Sequence, residues 1–157
     1  MTGVVGPAAP REPRRDRVER ETFLLGQLVG GQLTTELEAV CREEGLSAAQ
    51  YPVLWVLCLQ ANSEGMPQGA ISDGLVTQAS DVSRLVTRLE TSGLVERRQS
   101  DTDGRVVLVR PTRLGRAVFE RTTERVKRMH RVQFGGLSHA ELDQLHDLLN
   151  RVFWSPR

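Results

Sequence analysis

One stretch of this chain trades a helical rhythm for a strand-like one. Residues 94–98 and 105–110 are β-prone runs, and between them lies Ser100-Asp101-Thr102-Asp103-Gly104, a cluster of turn formers. Asp-Gly between two such runs predicts a two-stranded hairpin. Elsewhere from residue 14 to residue 153, apolar side chains recur at spacings of three, four and seven, the repeat of amphipathic helices. A lone hairpin cannot supply a core, so the expected fold is mainly α (α+β), with the hairpin resting on helices. Aromatic residues make up only 4% of the chain, which leaves Leu, Val and Ala to fill that core.

The helices fall in a definite order. Residues 14–44 hold no proline and carry Val18, Leu24, Leu25, Leu28, Leu33, Leu37 and Val40 on helical spacings. Gly30-Gly31 is expected to weaken and bend that helix, at roughly 1 kcal/mol per glycine, and Gly45 to end it. Leu46-Ser47-Ala48-Ala49-Gln50-Tyr51 has the form of a capping box with a hydrophobic staple. The helix it opens is almost wholly apolar over 53–59, the mark of a central core helix, with Pro52 removing one early hydrogen bond. Residues 61–69 read as a loop, and a short helix follows near 70–75. After a break around 76–78, a second helix runs to residue 91 with Val82, Leu85, Val86 and Leu89 on one face, and Gly93 ends it. Beyond the hairpin, Thr112 caps a long helix to about residue 132, with Leu114, Val118, Val126 and Met129 inward. Leu137-Ser138-His139-Ala140-Glu141-Leu142 repeats the capping box and opens a helix bearing Leu145, Leu148, Leu149, Val152 and Phe153. Residues 1–13 hold three of the seven prolines and no periodicity, and are expected to form a mobile arm. Residues 14–157 are expected to be one domain, with a central lobe at about 46–111 between helices at about 14–44 and 112–153.

Two short helices joined by a tight turn, with a hairpin directly behind them, make a winged helix-turn-helix arrangement. Its second helix enters a major groove of double-stranded DNA, and the hairpin lies along the backbone or in the minor groove. Over 78–91 the outer face offers Gln78, Ala79, Ser80, Asp81, Ser83, Arg84, Thr87 and Arg88. Arg is bidentate to guanine, and Ser or Thr binds bases or phosphates. A plain solvated helix face would look similar. The hairpin immediately downstream favours the DNA reading.

The same segment resembles a known family. Arg84-Leu85-Val86-Thr87-Arg88-Leu89-Glu90, then Gly93-Leu94-Val95-Glu96-Arg97, is similar to the recognition helix and first wing strand of MarR-type transcriptional regulators. Asp103-Gly104-Arg105, five residues, then Pro111-Thr112-Arg113-Leu114-Gly115 resembles that family's D-x-R-x5-L-T-x-x-G signature, with Pro111 where the family has leucine. The resemblance extends over roughly residues 18–153. It implies a homodimer with interlocked terminal helices, a wing (94–110) bearing Arg98, and Arg105 reaching the minor groove. Asp103, or alternatively Asp101, would orient that arginine, or else both aspartates serve the turn itself. It also implies release from DNA by a small effector, for which Tyr51 and Trp55, one turn apart on the core helix, are candidate pocket residues or plain core. The final helix independently suggests a dimer, because its Leu, Val and Phe need a partner surface. A dimer would read two half-sites about one helical turn apart, a pseudo-palindrome.

Net charge first argues against DNA: 21 basic and 20 acidic residues leave only +1. That sum hides its parts. Residues 1–83 hold six basic and eleven acidic groups, residues 84–131 thirteen and six, and the remainder two and three. The basic excess begins on the proposed reading helix, crosses the wing and continues up the next helix.

Other functional classes find less support. No phosphate loop, G-x-S-x-G or H-E-x-x-H is present, so an enzyme is not expected, and no cofactor is implied. His139 and His146 are seven apart on one helix, too far to share a metal without a third group, so no metal site is expected. Cys41 and Cys58 lack CxxC spacing and read as buried thiols, with a redox-sensing regulator as an alternative. A winged-helix module used only for protein–protein contact is the other alternative. The longest apolar stretch is too short for a bilayer and no signal peptide is evident, so no membrane is expected and a cytoplasmic location is.

Overall fold

The computed structural model describes residues 13–75 and 81–155. The first helix, α1 (Arg14–Glu43), supplies the described part of a compact unit that ends at Thr34, and its last residues open a second unit, Thr35–Arg157. Within the first unit α1 continues through Gly30-Gly31 without interruption. There the Thr34 hydroxyl returns a hydrogen bond to the Gly30 carbonyl at 2.8 Å. Val18, Phe23, Leu24, Leu25, Leu28 and Val29 on this stretch are all between 46% and 70% exposed.

The second unit continues with α2 (Gln50–Gln60), β1 (Met66–Pro67), α3 (Gln68–Ile71), a 3-10 turn (Ser72–Gly74), α4 (Val82–Thr91), β2 (Val95–Gln99), β3 (Val107–Pro111), α5 (Arg113–Gln133) and α6 (His139–Phe153). The predicted box before α2 is present: Gln50 Oε1 accepts the Ser47 amide at 2.9 Å, and Ser47 Oγ accepts the Gln50 amide at 3.2 Å. α2 then buries Val53, Leu54, Val56 and Leu57 in a cluster with Ile71, Val86, Leu89, Val109 and Phe119. Thus α2 is the central helix, and α3, α4, α5 and the sheet pack around it. Glu44 joins α1 to α5 within this unit, accepting from Arg121 Nε at 2.8 Å and Arg125 Nε at 2.9 Å. The bond from Arg121 holds its carboxyl below the usual carboxylate range.

Helices α1 and α4 end in the same way. Gly45 (φ 76°) and Gly93 (φ 70°) adopt the left-handed conformation that glycine takes without penalty. The next amide then turns back to a helix carbonyl, Leu46 to Cys41 at 3.0 Å and Leu94 to Leu89 at 2.9 Å.

The hairpin forms as predicted, displaced by one or two residues, with Val95 opposite Pro111 and Gln99 opposite Val107. Its sheet has a third member. β1 pairs antiparallel with β3 through Met66–Val109 and Pro67–Leu108, within the stretch expected to be loop. Two residues are too few to show alternation, so only the partner strand reveals them. Leu114, expected inward on α5, is instead 53% exposed, and Phe119 takes the inner place beside Val118. On α6 both halves of the Ser138–Glu141 capping box are present, yet the helix buries none of its residues. Among the described residues no helix is long and apolar enough to cross a membrane.

Candidate nucleic-acid interface

Helix α4 owes its orientation to a sharp division of its surface. Val82, Val86 and Leu89 are at most 7% exposed and bind it to the core, while Ser83, Arg84, Thr87 and Arg88 face outward. The helix starts later than the spacing suggested. Asp81 is its N-cap, and its carboxylate accepts the Arg84 amide at 3.0 Å. The same carboxylate lies 3.3 Å from the Arg84 guanidinium. Asp81 therefore caps and pairs rather than presenting itself from a helix face. Gln78, Ala79 and Ser80 lie outside the described residues.

The outward residues are not equally available. The Thr87 hydroxyl donates to the Ser83 carbonyl at 2.9 Å and accepts from Arg97 at 3.0 Å. The Arg88 guanidinium meets no carboxylate among the described residues. On the wing, Arg98 donates from Nε to the Glu64 carbonyl at 3.1 Å and lies 3.4 Å from Asp101, so it fastens the outer end of β2 to the turn before β1. Arg110 pairs with its cross-strand neighbour Glu96. Asp103 accepts the backbone amide of Arg105 at 3.0 Å, and Ser100 Oγ accepts the amides of Thr102 and Asp103 at 3.3 and 3.4 Å. Both aspartates thus serve the hairpin turn and the strand end beside it, and neither pairs with the Arg105 guanidinium, which is exposed. Sequence reasoning missed Arg97, whose side chain turns inward; its partners lie 7 to 29 residues away on other elements.

Thr112 secures the far end of the wing. Its hydroxyl donates to the Gly93 carbonyl at 2.7 Å and accepts the Gly115 amide at 3.0 Å, capping α5. A side chain at Gly115 would place its Cβ 1.9 Å from the Leu94 carbonyl oxygen, so only glycine lets α5 approach the end of α4 this closely. The T-x-x-G part of the signature is therefore a joint between helix and strand. Pro111 fits it without loss: the amide bonded to the Leu94 carbonyl, at 3.0 Å, belongs to Thr112.

Comparison with known proteins agrees with this architecture. The chain is 30% identical over 145 residues to the HTH-type transcriptional repressor IacR of Pseudomonas putida, covering 90% of this chain and 84% of that one. The sequence model of the MarR family matches residues 44–106, which span α2 to the wing tip. The chain belongs to that family. CouR of Rhodococcus jostii RHA1, solved bound to p-coumaroyl-CoA, is 30% identical with a TM-score of 0.67, over 87% of this chain and 93% of that one. The S. aureus MepR–DNA complex shares the fold with a TM-score of 0.75 at 21% identity, over 85% and 97%. Solved proteins that share the winged helix-turn-helix fold found here thus include a DNA-bound one and a ligand-bound one.

The remaining candidate residues lie apart from the α4–wing surface. Tyr51 is half-buried, stacks on Phe119 with ring centroids 6.3 Å apart, and shares a hydrogen bond with Thr123 at 3.2 Å. Burial pushes its phenol above the usual range. Trp55, one turn on, is 39% exposed. Cys41 is fully buried and Cys58 half-buried, and burial pushes both thiols up to about 11.

Proposed function

We propose that this MarR-family protein is a homodimeric, sequence-specific repressor that binds a pseudo-palindromic operator and is released by a small aromatic effector. The observation that carries the DNA reading is the division of α4. Its apolar side is used up by the lobe, leaving Arg84 and Arg88 outward beside a wing whose Arg105 guanidinium is unpaired among the described residues. In this reading residues 78–91 enter the major groove, where Arg84 and Arg88 read guanines and the short polar groups of Gln78, Ser80 and Ser83, beside Ala79, meet bases or phosphates. Arg105 enters a narrow minor groove and reads shape. The winged lobe spans about 46–111, and helices at about 14–44 and 112–153 form the dimer. Support for the dimer comes from α6, whose Leu148, Leu149, Val152 and Phe153 are 46% to 73% exposed in the single chain.

IacR's description as a repressor supports the sign of regulation, and the aromatic thioester bound to CouR supports the effector class. Tyr51 and Trp55 are the candidate contacts. The high pKa of both thiols opposes redox sensing, because the reactive thiolate is scarce at neutral pH.

A gel-shift titration on the DNA upstream of the protein's own gene tests the proposal. The expected result is one fragment bound at least about a thousandfold more tightly than bulk DNA. Arg88→Ala should relax preference at one base position, whereas Arg105→Ala should weaken binding with base preference kept. The operator reading fails if no fragment is preferred over bulk DNA.

A further inference from the structure

An arginine in the middle of a wing strand would ordinarily face DNA, but Arg97 does not. Its side chain is only 23% exposed and its guanidinium is directed into the lobe. Nε donates to Gln68 Oε1 of α3 at 3.1 Å, and one Nη pairs with Glu90 of α4. The other Nη donates to Thr87 Oγ1 at 3.0 Å and lies 3.5 Å from the Ser83 carbonyl. One planar fork thus joins β2 to α3 and to three residues on successive turns of α4. An ammonium group, a point charge, could not make these bonds at once. The apolar contacts that otherwise hold α4 are non-directional and resist its rotation about its own axis only weakly. A roll of about 10° would move the side-chain tips of a helix by about 1 Å, enough to spoil a bidentate contact to a base.

We propose that Arg97 is a positioning residue for operator recognition, fixing the roll of α4 against the wing strand and so the aim of Arg84 and Arg88, without touching DNA. Glu90 and the Thr87 hydroxyl are its counterparts in this clamp. Thr87 then belongs to the clamp rather than to the base-reading set, since its proton and a lone pair are already used within the protein. The inference rests on the operator-binding reading above.

The test compares the parent with Arg97→Ala, Arg97→Lys, Glu90→Gln and the double variant Arg97→Ala/Glu90→Gln. Each is titrated against the preferred operator fragment and bulk DNA over a range of salt. Arg97→Ala and Glu90→Gln should each lower the operator-to-bulk preference by about tenfold, and the double variant should be no worse than Arg97→Ala alone. Bulk affinity and salt slope should stay at the parent's values, because no phosphate contact is lost. Arg97→Lys should fail to restore the preference.

Glu90→Gln gives the sharpest sign. Removing a negative charge near DNA strengthens binding if simple electrostatics governs, and weakens operator binding if the clamp does. The near-isosteric amide also keeps the test valid should Arg97→Ala fold poorly. A reduced salt slope with operator and bulk affinity falling together would make Arg97 a direct phosphate contact and overturn the proposal. An unchanged preference in Glu90→Gln would overturn it equally. A parent protein with no preferred fragment overturns the operator reading first, and this inference with it.

Discussion

Helices α2 and α6 open on the same local signal but end in opposite states. Each follows a capping box, yet α2 is apolar on nearly every side while α6 is apolar along one stripe. In α2, Val53, Leu54, Val56 and Leu57 are at most 1% exposed; in α6, Val152 is 73% and Phe153 60% exposed. Caps and periodicity decide that a helix forms and which face is apolar. They do not decide what covers that face. In the lobe the cover is encoded in the same chain, whereas the described residues bury none of α6.

The largest effect should come from breaking the lobe. Leu54→Ala is expected to cost about 2–5 kcal/mol in urea denaturation, at every protein concentration. A loss below about 1 kcal/mol, or one that depends on concentration, would remove the distinction between a self-sufficient lobe and a dependent helix. Leu149→Asp should act the other way. The lobe's unfolding midpoint in dilute solution should hold, while the dimer–monomer midpoint in analytical ultracentrifugation moves at least about tenfold toward monomer, roughly 1.4 kcal/mol. A parent protein that sediments as a monomer at all concentrations would refute the reading of α6 as an interface.

The smallest effect concerns the cysteines. With both thiols pushed up to about 11, alkylation of the native protein at pH 8 should be about a hundredfold slower than that of a free cysteine. The same shift fixes a sign. Between about pH 9 and about pH 11 the unfolded chain loses thiol protons that the native state keeps, so stability falls as pH rises through that window. Rapid native-state alkylation would show that the lobe opens readily and blur the contrast with α6.

Much of the fold was legible because its signals are local. The hairpin announces itself by Asp103-Gly104, α6 by Ser138 and Glu141, and the ends of α1 and α4 by Gly45 and Gly93. What escaped depends on separation in sequence. β1 exists only through Val109 and Leu108, more than 40 residues downstream. Leu114 fits the helical repeat of α5 but lies over no core element, so periodicity misplaces it. Asp81 is polar and near a helix start, and pattern alone does not tell a capping residue from one in the first turn. The candidate DNA surface was read by residue type, which locates the arginines but not their engagements. Nothing in the order of letters says that Arg98 is held by Glu64 and Asp101 while Arg105 is not.

The joint at Thr112 makes α5 a lever. The helix has 21 residues, and at 1.5 Å per residue its arm is about 30 Å long, hinged where Thr112 and Gly115 meet Gly93 and Leu94. A push of about 1 Å at its far end turns the joint by only about 2°, which across the 10 residues of α4 is a shift of about half an ångström. Helix α4 is thus geared down: coarse motion at the far end of α5 reaches it as a fine adjustment.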